Sequence, residues 1–269
     1  MPPKKMHAVI VGSGRAGMAR KRVLDEDERF EVRIYRWRDM DISDLKDLHA
    51  DIFFICTAND THYLICKCLL SMGRDVVVEF PPCASREEWQ ELTAQAQKTG
   101  AHLHCALIGL YTKAHTMRRA WVKGYGATQI RVVFQGGYYR WITEESQKGH
   151  ALLLAFSRLV CLWDICGSLH IEDLVIEQNT QGYQLKLRAL GADGALVYLE
   201  EKRSVGMKRS VHWHLESHAG IEWAEPLPKR ENLFARDIEY ALSRKPPEVS
   251  LDAIFRCIDD AQARYVRKE

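Results

Sequence analysis

"VIVGSGRAGMAR", residues 9–20, decides how the first half of the chain is read. An apolar run ends in Gly12, Gly14 and Gly17, spaced as G-x-G-x-x-G, and a helix-forming stretch follows. Between a strand and a helix each glycine has a physical task. The first permits a tight turn, the second lets a pyrophosphate approach the backbone, and the third lets the helix lie against the strand. The N–H groups that open the helix then meet the anion at the positive end of its dipole. The triplet alone is weak. At the first strand–helix junction of an alternating chain it predicts a dinucleotide-binding turn, with Gly12, Ser13, Gly14, Arg15, Ala16 and Gly17 as cofactor contacts.

The alternation is present. "HAVIV" (7–11), "VRIYRW" (32–37), "DIFFICTA" (51–58), "DVVVEF" (75–80) and "AHLHCALI" (101–108) read as strands, and "THYLICKCLLSMG" (61–73) and "SREEWQELTAQAQKTG" (85–100) as helices. This is the pattern of βαβ units building a parallel sheet. "DISDLKDL" (41–48) is too short for an average crossover helix, so one layer is expected to be trimmed. Beyond residue 112 the runs lengthen and alternate: "TQIRVVFQGGYYRW" (128–141), "EDLVIEQNTQ" (172–181), "YQLKLRALG" (183–191), "ALVYLEEKR" (195–203) and "SVHWHLESH" (210–218). They predict an antiparallel sheet, interrupted by a helix from Ala151 and closed by helices over 231–244 and 250–268. The expected fold class is α/β. It comprises an N-terminal Rossmann domain with a doubly wound parallel sheet (1–112) and a C-terminal α+β domain with a large antiparallel sheet (113–269), whose C-terminal helix is free to pack back on the first domain.

Composition excludes several classes. The chain has 269 residues, 46% hydrophobic and 28% charged, as a soluble globular protein has. Lys plus Arg number 38 against 36 Asp plus Glu, a net charge of +2 that gives no footprint for nucleic acid or an anionic membrane. The start, "MPPKKMHAVIVG", carries too short an apolar run for a signal peptide, and no window approaches a membrane span. Eight cysteines lie mostly in apolar segments without a paired C-x-x-C arrangement, so they read as small core residues of a cytoplasmic protein, and no metal is expected.

The second strand ends in "YRWRD" (35–39). A dinucleotide site that prefers NAD places a carboxylate there to accept from the ribose 2′-hydroxyl. Arg36 and Arg38 supply cations instead, and Trp37 offers a face for stacking. NADPH is therefore expected, with NADH disfavoured. The alternative keeps Asp39 as selector and leaves Arg36 and Arg38 as solvated surface charges.

"AFSRLVCLWDICG" (155–167) poses a charge problem. On a helix from Ala151, the face of Arg158 carries Ala151, Leu154, Ala155, Cys161, Leu162 and Ile165, and no carboxylate. Burying a guanidinium without an anion costs several kcal/mol on the order of a buried-ion penalty, so a partner must come from elsewhere. Two sources are open: an anionic or electron-rich ligand, or a remote carboxylate or ring of carbonyls.

The stretch "TANDTHYLICKCLLSMGRDVVVEFP" (57–81) resembles the glucose-fructose oxidoreductase and inositol dehydrogenase family, with Thr57, Asn59, His62, Gly73, Val76, Glu79 and Pro81 at matching positions; "FARDIEYALSRKPPEVSLDA" (234–253) resembles its closing helix and turn. Sugar dehydrogenases of that family handle the hydroxyl proton with a lysine, an aspartate and a histidine. Here Phe80 takes the lysine position, and Leu154, Phe156, Arg158 and Cys161 fall on the helical motif. Alcohol oxidation needs a base beside the departing proton, so a sugar dehydrogenase is disfavoured. One branch, the biliverdin reductases, is similar in "VGSGRAG" (11–17), in an aromatic between Glu79 and Pro81, in Ser157-Arg158-Leu159, and in "LEEKRSVGMKRS" (199–210). The chain departs from the animal enzymes at Phe80, where they carry tyrosine, and near Leu107 and Gly109, where they carry glutamates.

The resemblance implies an NAD(P)H-dependent oxidoreductase of heme catabolism that delivers hydride to the central methine carbon of a linear tetrapyrrole, biliverdin to bilirubin. Such a bilin is itself the electrophile, so no nucleophile or metal is needed. Arg158 and Glu79 are then the catalytic candidates. Thr57, Ala58, Asn59, His62, Glu79 and Phe80 are cofactor contacts, and Arg158, Tyr111, Lys208 and Arg209 substrate contacts. Blander readings stand beside these: a strand-end carboxylate for Glu79, a structural hydrogen bond for His62, a solvated loop for Lys208 and Arg209, and sheet packing for "GGYYRW" (136–141). Two other functions also stand, an inactive NADP-binding sensor and a reductase of another conjugated imine or enone.

Overall fold

The structure is a computed structural model that describes residues 4–138, 147–226 and 231–266. The chain divides into two units, Met1–Tyr111 with Glu231–Pro247, and Thr112–Arg230 with Glu248–Glu269. The first is built on five parallel strands, β1 (Met6–Val11), β2 (Phe30–Tyr35), β3 (Ile52–Ile55), β4 (Asp75–Glu79) and β5 (Leu103–Ala106), with helices α1 (Arg15–Asp25), α2 (Asn59–Ser71) and α3 (Arg86–Thr99) between them. The spatial order is β2-β1-β3-β4-β5. Ile52, Phe53, Phe54 and Ile55 of β3 are all buried, as expected for a parallel strand covered on both faces. From β2 to β3 the chain makes only two short 3-10 turns, Trp37–Asp39 and Asp44–Asp47, so that crossover is trimmed. The β1–β2 connection runs to one side of β1, the β2–β3 connection crosses back to the other, and the sheet order reverses between β1 and β3. Their carboxyl ends therefore flank the switch point where open α/β sheets bind ligands.

The second unit opens with α4 (Lys113–Tyr125), which hydrophobic periodicity did not predict. Its buried positions include His115 and Arg118, polar residues that hide the apolar stripe, while Thr112 caps it by accepting from His115 N at 3.1 Å. Next come β6 (Gln129–Gly137), α5 (Gln147–Leu154), α6 (Phe156–Cys166), β7 (Leu169–Asn179), β8 (Gly182–Gly191), β9 (Leu196–Ser204) and β10 (Ser210–Glu216). The order β10-β6-β9-β8-β7 corrects the expected antiparallel sheet to a mixed one, because β6 and β9 pair in parallel. Period-two alternation reads the same in either direction, and the long excursion between these strands frees them from hairpin geometry. Tyr139, Arg140 and Trp141 of the "GGYYRW" reading lie outside the described residues.

Helix α7 (Leu233–Leu242) returns to the first unit, burying Ile238 and Ala241 in its core. The final helix, α8 (Leu251–Val266), stays with the second unit against β7, where Phe255 meets Phe156 at 5.3 Å between ring centres. The helix that packs back is thus the penultimate one. All eight cysteines are free, and all but Cys68 are buried. No helix among the described residues is long and apolar enough to cross a membrane.

Candidate functional site

At the β1–α1 turn the three glycines answer to different neighbours. Gly12 has φ +110°, and a Cβ there would sit 2.4 Å from the Cys56 carbonyl oxygen. A Cβ on Gly17 would fall 1.9 Å from the Gly12 carbonyl oxygen. Gly14 is different, for a Cβ there would meet nothing within 4 Å. The protein's own packing thus requires the outer glycines and leaves the middle one facing open space. Gly14 is also the N-cap of α1, with no side-chain cap and no acid in the first turn. An uncapped helix start with an open backbone approach at the switch point fits a dinucleotide pyrophosphate.

Hydrogen bonds from Gly12 N to Tyr35 O and from Cys56 N to Val11 O, both 2.8 Å, fix the ends of β1, β2 and β3 around this turn. Arg36 and Arg38 follow β2 directly and are exposed. Asp39 lies 3.7 Å from Arg38, a loose and solvated pair worth about 0–1 kcal/mol. Both cations and the acid therefore stand together just beyond the carboxyl end of β2.

The β3–α2 turn holds Thr57, Ala58 and Asn59, where the Thr61 hydroxyl lies 2.7 Å from that of Thr57 and 2.8 Å from the Ala58 carbonyl oxygen. His62 is fully buried, its Nδ1 2.8 Å from Pro81 O and its Nε2 3.2 Å from Thr57 O. Burial pushes the ring below its ordinary pKa, and a neutral ring donates once, here over the shorter distance to Pro81 O. His62 therefore braces the turn against the segment after β4. That corrects its assignment as a cofactor contact, since the ring is wholly buried, with one nitrogen bonded to Pro81 O and the other facing the Thr57 carbonyl.

Glu79 ends β4 and is followed by the half-buried Phe80. Its Oε1 accepts from Arg20 Nε at 2.8 Å, and Arg20 Nη2 donates to Asp237 Oδ2 at 2.7 Å. His104 Nε2 reaches Asp237 Oδ1 at 2.9 Å. Arg20 is wholly buried, with the Phe54 and Phe234 rings 5.4 and 5.1 Å from its guanidinium carbon. Burial would raise the Asp237 carboxyl, but the His104 hydrogen bond and Arg20 hold it below the usual carboxylate range. Glu79 is therefore one end of an ion-pair network joining β4, α1, β5 and α7, not an isolated proton-handling acid. The Tyr111 ring packs tilted against Tyr240 of α7, 5.4 Å between centres, and its carbonyl accepts from Arg236.

In the second unit the charge problem of Arg158 is solved internally. Glu201 of β9, fully buried, accepts Arg158 Nε at 2.9 Å on Oε2 and lies 2.6 Å from Arg158 Nη2. Its Oε1 accepts Arg203 Nε and the Tyr183 hydroxyl, each at 2.6 Å. Arg158 also donates to the Leu154 carbonyl and lies over the Phe134 ring, 4.3 Å from its centre. Burial would raise Glu201, but Arg158 and Arg203 outweigh it and lower the carboxyl. This corrects the expectation that a ligand supplies the missing anion. The alternation "LEEK" carries the signal: Glu200 points outward to Arg131 and Glu201 inward. Lys208 and Arg209 are exposed after β9, with the Arg209 guanidinium carbon 5.9 Å from the Phe134 ring centre.

Residues 19–107 match the model of an oxidoreductase family with an NAD-binding Rossmann fold. The matched stretch lies within the first unit and covers roughly a third of the chain. The protein is an NAD(P)-dependent oxidoreductase. The chain is 25% identical to biliverdin reductase A of Mus musculus over 269 residues, covering 93% of this chain and 90% of the relative. Among solved structures, biliverdin reductase of Synechocystis sp. PCC 6803, in complex with biliverdin and NADP+, matches with a TM-score of 0.77 at 20% identity, over 96% of this chain and 98% of that one. GenD2 from gentamicin A biosynthesis, in complex with NAD, matches with a TM-score of 0.79 at 15% identity, over 100% and 96%. At these identities the structural matches establish the fold, which hosts several chemistries.

Proposed function

We propose that this oxidoreductase uses NADPH to reduce a linear tetrapyrrole, delivering hydride to the central methine carbon of biliverdin to form bilirubin. One observation carries the reading: an open phosphate-binding turn is combined with the absence of the proton-handling groups that alcohol oxidation needs, with Phe80 and the Glu201-paired Arg158 at two of their positions. The similarity to biliverdin reductase A along nearly the whole chain supports the substrate.

In this reading the residues from Gly12 to Gly17 hold the pyrophosphate, Arg36 and Arg38 meet the 2′-phosphate, and Trp37 offers a stacking face. Bound NADPH supplies the hydride. The turn at Thr57–Asn59, braced by His62, and the segment Glu79–Phe80, anchored through Arg20, position the nicotinamide. Lys208 and Arg209 meet a propionate. Arg158, already paired, sets local charge and shape in place of donating a proton, in keeping with a guanidinium's permanent protonation.

The test is a spectrophotometric assay with biliverdin and each pyridine nucleotide. Turnover with a higher kcat/KM for NADPH than for NADH supports the proposal. Tight NADPH binding without turnover of any bilin favours the sensor reading, and turnover of another conjugated imine or enone alone reassigns the substrate.

A further inference from the structure

One guanidinium serves two carboxylates inside the first unit. An arginine carries a fork on one edge, where the Nε and Nη2 N–H groups point the same way, and a single carboxylate readily takes that whole edge. Arg158 shows the undivided edge, its Nε and Nη2 both meeting Glu201. Arg20 shows a divided one. Its Nε donates to Glu79 Oε1 at 2.8 Å and its Nη2 to Asp237 Oδ2 at 2.7 Å.

Asp237 is fixed in that place. It is fully buried on α7, and its second oxygen lies 2.9 Å from His104 Nε2 of β5. Arg20 is wholly buried beside the Phe54 and Phe234 rings, and no third carboxylate among the described residues pairs with it. While Asp237 holds Nη2, Glu79 reaches Arg20 through one oxygen. The other, Oε2, takes no hydrogen bond among the described residues.

That oxygen stands where a dinucleotide needs an acceptor. Glu79 ends β4, partly exposed, at the carboxyl edge of the sheet. Arg36 and Arg38 follow β2, and the order β2-β1-β3-β4-β5 puts β1, with the open Gly14 turn at its end, between them and Glu79. A dinucleotide with its adenosine at β2 and its pyrophosphate on the turn extends its nicotinamide half toward β3 and β4. That half carries donors, the carboxamide N–H groups and the ribose hydroxyls. The Arg20 charge also acts on Cys56, whose carbonyl oxygen lies against Gly12, which ties the divided pair to the turn.

We infer that Asp237 is a positioning residue for the cofactor: by occupying Arg20 Nη2 it keeps Glu79 singly bonded, with Oε2 presented to a donor of the nicotinamide half. The inference rests on nicotinamide-dinucleotide binding and is independent of the substrate. Without Asp237 the freed Nη2 would take up Oε2, and the cofactor would lose its acceptor.

The experiment titrates the full chain and its Asp237→Asn, Glu79→Gln and doubly substituted forms with NADPH and with adenosine 2′,5′-bisphosphate, which lacks the nicotinamide half. Kd for NADPH is expected to rise about tenfold in each single variant, as for loss of one hydrogen bond to a charged acceptor, with Kd for the bisphosphate within about twofold. The double variant should bind NADPH no more weakly than Glu79→Gln, because Asp237 acts through Glu79. A merely structural Asp237 would weaken both ligands alike or add its effect to that of Glu79→Gln. Either result overturns the inference, as does an unchanged Kd for NADPH. Should Asp237→Asn fail to fold, His104→Phe takes its place, since it removes the donor that fixes Asp237 Oδ1 and loosens the carboxylate's hold on Arg20. An NADPH-specific loss in His104→Phe that vanishes in the Glu79→Gln background supports the inference; a loss common to both ligands, or none, overturns it. Biliverdin turnover plays no part in these readouts, so the reductase reading is judged separately.

Discussion

Gly14 and Gly17 belong to one turn yet should respond oppositely to the same substitution. Ala at 17 would put a Cβ 1.9 Å from a backbone oxygen, so Gly17→Ala should lower Tm by several degrees or abolish soluble expression. Ala at 14 meets no protein atom within 4 Å but fills the ligand's approach. Gly14→Ala should therefore keep the wild-type Tm while KM for NADPH rises about tenfold or more. A Gly14→Ala protein that binds NADPH normally would show that the turn does not hold the pyrophosphate. These positions were readable because a glycine's task follows from its place between strand and helix. Glu201 was harder: its partner Arg158 is 43 residues earlier, and only the inward parity of one glutamate in "LEEK" marked it.

Among elements, the buried Arg20–Asp237 pair ties α1 to α7, and it was invisible in sequence because the two residues are 217 positions apart. Removing one partner leaves the other charge buried, so Asp237→Ala should destabilise by about 3–5 kcal/mol, measured by urea unfolding. The buried carboxylates of the two units give the pH dependence a sign. Asp237 and Glu201 have lowered folded pKa values, so their stabilisation is complete above the ordinary carboxylate range and is lost as pH falls below about 4. His62 is also lowered, its unfolded ring taking up a proton that the buried ring refuses. Its contribution is complete above about pH 6.5 and declines as pH drops. Unfolding free energy should therefore fall in two stages on acidification, and His62→Gln should flatten the stage that begins below about pH 6.5. An unchanged slope there would remove His62 from the account. Helix α4 shows the limit of periodicity, since burying His115 against Asp164 (2.7 Å) and Arg118 over Trp213 (4.0 Å) gives it a core face without an apolar stripe.

At the scale of the molecule, the parallel sheet was legible because βαβ alternation and trimmed crossover both leave marks in composition. The return of residues 231–247 to the first unit was not, because a helix's amphipathicity does not name the core it joins. Cofactor choice belongs at this scale too. Replacing Arg36 and Arg38 together by Ala should lower kcat/KM for NADPH by about 10–100-fold and leave that for NADH nearly unchanged, as expected when two charge-assisted phosphate contacts are lost. A dinucleotide fold lacking dehydrogenase proton-handling groups is proposed to reduce a bilin directly. The decisive measurement is the visible spectrum of biliverdin incubated with NADPH and the full chain. Loss of the biliverdin band, with matching growth of bilirubin absorption at a rate proportional to enzyme, is the predicted result. An unchanged biliverdin spectrum beside demonstrated NADPH binding would contradict it.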